Sequence, residues 1–155
     1  TVNNGIKLVL SGSLCLCPDV KLLDLIEDLG GMVVDDDLYV GSRYFATDVA
    51  VENDPIGALV DAYLNMVPCP TRLNRLDNNW GDYLSGIVRT SQARGVITLL
   101  PKYCEPHSFY IPYLAKRLSA EGVSHLTLET IPDMAGNLGQ LRTRVQTFLE
   151  ILGGN

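Results

Sequence analysis

No run of apolar residues in this 155-residue chain approaches the roughly 18 to 20 needed to cross a bilayer, which excludes a transmembrane helix. Basic residues are scarce. Twelve Lys and Arg face 18 Asp and Glu, for a formal net charge of −6 and a pI near 4.7. Nucleic acid is therefore not expected as a partner, because phosphate contacts need a basic surface. The G-x-G-x-x-G dinucleotide motif is missing, and no other Gly-rich phosphate loop is present. Repeats, low-complexity tracts and long polar linkers are absent too, so residues 1–155 read as a single domain. The opening TVNNGIKLVL lacks a basic n-region, a cleavage site and a starting Met. A cytoplasmic protein is the expectation, and this stretch is expected to be one piece of a longer chain. Cysteines number only four. Without a secretory signal they read as reduced thiols rather than a disulfide framework.

What is present suits a buried sheet. The apolar fraction is 46% and the mean hydropathy is +0.13, enough for a core covered on both faces. IKLVLSGS (Ile6 to Ser13) reads as a buried strand. PDVKLLDLIEDLGG follows as a helix, with Val20, Leu22, Leu23, Ile26 and Leu29 at helical spacing and Pro18 in its first turn. A second strand runs from Met32 to about Asp35 and opens into an acidic loop. DPIGALVDAYLNMVP carries a stripe of Ile56, Leu59, Val60, Tyr63, Leu64 and Val67, with Asp54 as N-cap and Pro55 at the first helical position. A further helix spans about Trp80 to Arg94, and the strand GVITLLP follows it. KYCEPHS then forms a loop before a helix beginning at IPYLAKRLSAEG. SHLTLET is the fourth strand. The last helix starts near Asn137, with Gln140 in capping-box spacing, and buries Leu141, Val145, Phe148, Leu149 and Leu152.

Apolar strands separated by helices predict an α/β fold: a three-layer α/β/α domain with a mainly parallel sheet of about four strands, flavodoxin- or Rossmann-like. Right-handed crossovers bring all strand carboxyl ends to one edge, where ligands bind near the switch in strand order. Four loops meet there, and KYCEPHSF is one of them.

Cys104 lies in that loop with Glu105 and His107. A nucleophilic thiol would find a base in His107, three residues on. A zinc site could combine Cys104 and His107 with Cys15 and Cys17 of a neighbouring loop. A buried space-filling thiol is the third reading, and spacing alone leaves all three open. Cys69, between two prolines, reads as a packed loop thiol. Asp35, Asp36 and Asp37 read as a solvated acidic run, with Mg²⁺ binding as the alternative. Arg142 and Arg144 sit in the first turns of the last helix, where the macrodipole disfavours cations. A carboxylate, a phosphate, a partner chain or an internal salt bridge would account for them. Arg43, in the GSRYF loop, faces the same choice.

SGSLC, DDDLYVGSRYFATDV, DPIGALVDAYL, PCPTR, QARGVITLLPKYCEPHSFYIPYL, LTLET and LGQLRTRVQTFLEIL occur in that order. Together they resemble the C-terminal domain of the benzoyl-CoA reductase and 2-hydroxyacyl-CoA dehydratase subunit family, over about residues 6 to 152. KYCEPH and QLRTRVQTFLE are the specific parts. The resemblance implies an oxygen-sensitive subunit built from several α/β domains around a [4Fe-4S] cluster held by three cysteines. The family motif K-[FY]-C-[DE]-P-H would make Cys104 one of those ligands; the other two would come from domains outside this chain. It also implies a related catalytic subunit and an ATP-hydrolysing iron–sulfur activator that delivers electrons to an acyl-CoA thioester, giving a ketyl-type radical anion. A dehydratase then expels a β-proton and hydroxide, while the reductase, an oxidoreductase, dearomatises a benzene ring. Dehydratase relatives often have Cys-Thr after the D-L of the second loop, where this chain has Tyr39-Val40, so the resemblance is nearer the reductase branch. Within it, Glu105 and His107 are candidates for orienting the thiolate or handling protons. Tyr39, Arg43 and Arg142 are candidates for contacting substrate. A non-catalytic scaffold and a zinc protein are the competing functions.

Overall fold

The computed structural model describes residues 5–12, 20–51, 53–65, 68, 80–131 and 137–154. Four strands form one sheet: β1 (Ile6–Gly12), β2 (Gly31–Leu38), β3 (Gly95–Pro101) and β4 (Ser124–Thr130). Five helices accompany them: α1 (Val20–Asp28), α2 (Pro55–Asn65), α3 (Trp80–Ser91), α4 (Glu105–Ala120) and α5 (Leu138–Gly153). The sheet order is β2-β1-β3-β4, with each neighbouring pair parallel. This is the expected three-layer α/β/α arrangement.

Both faces of the central strands are covered, which is why their sequences do not alternate. Leu8 and Leu10 of β1, with Ile97 and Leu99 of β3, join Leu22 and Ile26 of α1 and Leu141, Val145 and Leu149 of α5 in one core. Val9 and Val96 point the other way, into a second core with Trp80, Leu84 and Val88 of α3 and Leu114 and Leu118 of α4. Strand order reverses between β1 and β3. At that seam Gly12 has φ 133°, and a Cβ there would lie 2.0 Å from the Leu99 carbonyl oxygen. No other residue type fits so close an approach. The helix predicted from Pro18 is described from Val20 onward, and Val20 itself is 64% exposed rather than buried.

Several boundaries differ from the sequence reading. β2 runs on to Leu38 and includes the acidic run, so Asp35, Asp36 and Asp37 are strand residues rather than a solvated loop. A β-bulge shifts the β1–β2 register: Leu8 pairs with Val33, but Val9 pairs with Asp35 and Ser11 with Asp37. The extra residue flips the strand's alternation. Asp37 is thereby turned from the α1/α5 side to the α3/α4 side. α3 ends at Ser91, three residues early, where Gln92 takes a left-handed φ of 56°. α4 starts at Glu105, not Ile111, because Pro106 suits a first turn and Pro112 is tolerated inside the helix. α5 begins at Leu138 as expected, but its N-cap Asn137 makes no side-chain cap bond, so the capping box does not form.

α2 departs most from expectation. Its N-terminus is capped as predicted, with the Gly57 N–H donating to Asp54 Oδ1 at 3.0 Å. Its apolar stripe, however, is not in the core. Ile56, Leu59, Val60, Tyr63 and Leu64 are all exposed, while Ala58 is buried; Val67 lies outside the described residues. Helical periodicity fixes which side chains share a face, but not what that face meets.

Once flipped inward, Asp37 must find partners for a buried charge. Arg43, carried back by a 3-10 turn over Ser42–Tyr44, places Nη2 2.7 Å from Asp37 Oδ1 and 2.8 Å from Oδ2. The N–H is aimed at Oδ2, so Oδ1 is in ionic contact without a directed hydrogen bond. Trp80 Nε1 donates to Oδ2 at 2.6 Å, and the Ser11 hydroxyl donates at 3.3 Å. Arg43 Nη1 also donates to the Pro68 carbonyl at 2.8 Å. Burial pushes the Asp37 carboxyl above the ordinary carboxylate range, with Arg43, Trp80 and Ser11 opposing that push.

These buried groups set two expectations for stability. Asp37→Ala removes the buried acceptor shared by Arg43, Trp80 and Ser11 and is expected to lower unfolding free energy by about 3–5 kcal/mol. Asp37→Asn, which keeps hydrogen-bonding atoms, should cost less; urea denaturation of both variants measures the difference. The second concerns His125, whose Nε2 is 2.8 Å from the Thr98 hydroxyl and whose pKa falls from 6.5 to about 4 through burial. The unfolded chain takes up this proton near pH 6.5 and the folded chain only near pH 4. The stabilisation is complete above 6.5 and is lost as pH falls through that window, by up to about 1.4 kcal/mol per pH unit. His125→Gln should lessen the pH dependence of the thermal midpoint between those values, with His107, shifted over the same window, supplying the slope that remains.

Candidate functional site

The crossover between β1 and β3 places the carboxyl ends of these two strands side by side at one edge of the sheet. Cys15 and Cys17, which follow β1 in sequence, lie outside the described residues, as does Cys69. The loop that follows β3 carries Cys104. This loop is short and firmly tied. The Lys102 N–H donates to the Thr130 carbonyl at the end of β4 at 2.9 Å, and the Cys104 N–H to the Pro101 carbonyl at 3.0 Å. Tyr103 adopts a left-handed φ of 70°, an uncommon and costly conformation for an aromatic residue. Its ring is exposed, with Lys102 Nζ 5.5 Å from the centroid. The strained residue turns the chain so that Cys104 becomes the N-cap of α4.

Cys104 is half-buried and its carbonyl is doubly held, by the Ser108 N–H at 3.0 Å and the Ser108 hydroxyl at 2.8 Å. One turn along α4, His107 comes back beneath it, with Nδ1 3.4 Å from Sγ. That imidazole is only 2% exposed. Its ring meets Trp80 edge-on at 5.4 Å and Tyr39 at 6.1 Å. Burial first, and the nearby Arg43 charge second, lower its pKa from 6.5 to about 4. A neutral imidazole of so low a pKa is a poor base, and beside a half-buried Cys104 on a rigid helix start it can act as a hydrogen-bonding neighbour to a metal-bound sulfur.

The other candidate residues divide. Glu105 sits in the first turn of α4 with an exposed side chain, a favourable place for a carboxylate near the helix dipole. Tyr39 is half-buried and joins the site through His107, while the Arg43 guanidinium lies 5.3 Å above its ring. Arg43 itself is 3% exposed and engaged with Asp37, so it contributes to the site from within the fold, by the internal ion pair that was one of its expected fates. Arg142 is exposed on α5, in the layer on the opposite side of the sheet from α4. Its neighbour Arg144 finds its partner in a backbone carbonyl, donating to Thr127 O at 2.7 Å.

Asp35 and Asp36 serve the backbone: Asp35 Oδ1 accepts from the Asp36 N–H at 2.8 Å. Asp36 Oδ1 accepts from the N–H groups of Leu38 and Ser42, each at 2.9 Å, and Oδ2 from the Ser42 hydroxyl at 3.0 Å. Among the described residues no group of three or more His, Cys, Asp or Glu side chains is arranged to hold a metal ion. Of the four side chains in the zinc reading, Cys104 and His107 are described, and they are adjacent. One residue of the site, Trp80, escaped sequence reasoning. The chain has a single Trp, placed at a helix start, and that was the available signal. Asp37 was read as part of a solvated or Mg²⁺-binding run, and its burial against Arg43 and Trp80 carried no sequence signal because it follows from the bulge.

The sequence pattern of the family described as "2-hydroxyglutaryl-CoA dehydratase, D-component" matches residues 1–152. The chain is 29% identical over 145 residues to a benzoyl-CoA reductase subunit of Thauera aromatica, covering 93% of this chain and 37% of that protein. It is 30% identical over 131 residues to the (R)-phenyllactyl-CoA dehydratase beta subunit of Clostridium sporogenes, covering 84% and 34%. To the lactoyl-CoA dehydratase beta subunit of Anaerotignum propionicum it is 27% identical over 150 residues, covering 96% and 39%. The matched stretch thus spans between a third and two-fifths of the length of these relatives. With the family pattern spanning nearly all of it, this chain belongs to the 2-hydroxyglutaryl-CoA dehydratase D-component family.

Proposed function

We propose that this chain is a domain of a catalytic subunit in an acyl-CoA enzyme of the benzoyl-CoA reductase type. In this reading Cys104 supplies one thiolate to a [4Fe-4S] cluster completed by cysteines outside the chain. The observation that carries it is the position of Cys104: a half-buried residue just past the carboxyl end of β3, beside the crossover in strand order. A soft thiolate suits iron, and ligands anchored at the end of a rigid strand and the start of a helix hold their geometry. The residues present fit one arm of such a site, not a whole one. When bound, the cluster would supply single electrons at low potential to an acyl-CoA thioester.

The chain's own residues then have distinct parts. Tyr103 turns the backbone to present Cys104. His107 contacts its sulfur. Trp80, Tyr39 and the Asp37–Arg43 pair wall the site on its buried side. Tyr39-Val40 stands where dehydratase relatives often carry Cys-Thr, which favours an aromatic acyl-CoA over a 2-hydroxyacyl-CoA as substrate; a dehydratase subunit is the alternative. A related catalytic subunit and an ATP-hydrolysing iron–sulfur activator are the proposed partners, in the cytoplasm.

The test uses the complete protein that contains this sequence, produced anaerobically with its partner subunit. The wild type should contain iron and sulfide with a [4Fe-4S] spectrum and reduce benzoyl-CoA when given its activator. Cys104→Ala should lose this subunit's cluster and abolish turnover. Retention of cluster and turnover by that variant overturns the assignment. Stoichiometric zinc in the wild type points to a zinc site, and turnover of a 2-hydroxyacyl-CoA alone to the dehydratase branch.

A further inference from the structure

We infer that His107 is a positioning residue for the cluster ligand: its Nδ1–H donates a hydrogen bond to the Cys104 sulfur and raises the reduction potential of whatever iron–sulfur centre that sulfur holds. This rests on the reading of Cys104 as a cluster thiolate. The geometry is local and specific. Cys104 is the N-cap of α4 and His107 stands three residues on, where helical side chains lie over the preceding turn. Sγ and Nδ1 are 3.4 Å apart. A metal-bound thiolate carries no proton, so this contact is a hydrogen bond only when Nδ1 bears one. The imidazole must therefore be the Nδ1–H form.

Two features make the contact deliberate rather than incidental. An N-cap side chain ordinarily accepts from the backbone N–H of the second or third helical residue. Pro106, the second, has no N–H to give, and the Cys104 side chain makes no cap hydrogen bond; the imidazole is the donor supplied in that turn. The ring is also fixed in place. The Trp80 ring stands nearly perpendicular to it at 87° and 5.4 Å, Tyr39 meets it at 70° and 6.1 Å, and Trp80 is itself tied to Asp37. A donor held on a buried, rigid ring keeps its aim on the sulfur in both oxidation states of the centre. Because reduction adds negative charge that spreads onto sulfur, an N–H···S bond stabilises the reduced form more, and the potential rises.

The experiment compares His107→Leu and His107→Asn in the complete, anaerobically loaded protein. The two substitutions have similar size, but the Asn side-chain N–H₂ occupies nearly the position of Nδ1. The readouts are the midpoint potential from an EPR-monitored titration and the exchangeable proton coupling seen on transfer to D₂O. Leu should shift the potential downward and remove one exchangeable coupling, and Asn should restore both toward wild type. If Leu fails to retain the cluster while Asn retains it at the wild-type potential, the donor role also stands. A loaded Leu variant with unchanged potential and couplings overturns it, as does loss of the cluster from both variants, which marks His107 as a packing group. A wild type that binds no cluster overturns the reading of Cys104 itself, a result separate from a loaded wild type with an insensitive His107.

Discussion

A buried carboxylate that needs a cation organises the working edge of this domain. Asp37 is 1% exposed, and a charge so placed is tolerable only when paired and hydrogen-bonded. Its partners come from three separate segments: Ser11 at the end of β1, Arg43 in the turn after β2, and Trp80 at the start of α3. The pair therefore fixes how the chain leaves β2 and how it re-enters at α3. Arg43 in turn lies over Tyr39 and near Tyr83, at 5.3 and 5.9 Å from their ring centroids. Removing the cation would loosen more than one contact, since each partner is held by the others.

From that pair a line of contacts leads to the sulfur. Asp37 holds Trp80, Trp80 meets His107, and His107 touches Cys104. The buried side of the site is thus rigid, while Cys104 itself is only partly buried. Such asymmetry suits a ligand that must be held from one side and meet its remaining partners from the other. The exposed apolar face of α2 belongs to the same excursion between β2 and α3, beyond the two cores that enclose the sheet.

Much of the fold could be read directly. Uninterrupted apolar runs such as LVL and GVITLL, separated by helical stripes, demand a sheet covered on both faces, and β3 and β4 fall on the predicted residues. The five predicted core positions of α5 are all buried. Errors concentrated where a short-range rule met a long-range one. KYCEPHS looked like a loop because two prolines flank the helix start, yet one proline in a first turn and another within the helix are compatible with α4. The DDD run looked solvated because charge is usually exposed, and pairing across the sheet overrode that preference for Asp37.

For the site, residue types alone singled out Cys104 and His107, three residues apart in a stretch read as a loop. That pairing of residue types, along with the fold class, the sequence by itself determined; the early start of α4 brought the two side chains into contact. Which other residues join them depended on register. A single bulge in β2 decided that Asp37 faces α3 rather than α1, and so that Trp80 and Arg43 converge behind the imidazole. Alternation in a strand has a period of two, so one extra residue reverses every side chain beyond it. No pattern along the chain marks where that reversal occurs; only pairing with β1 settles it.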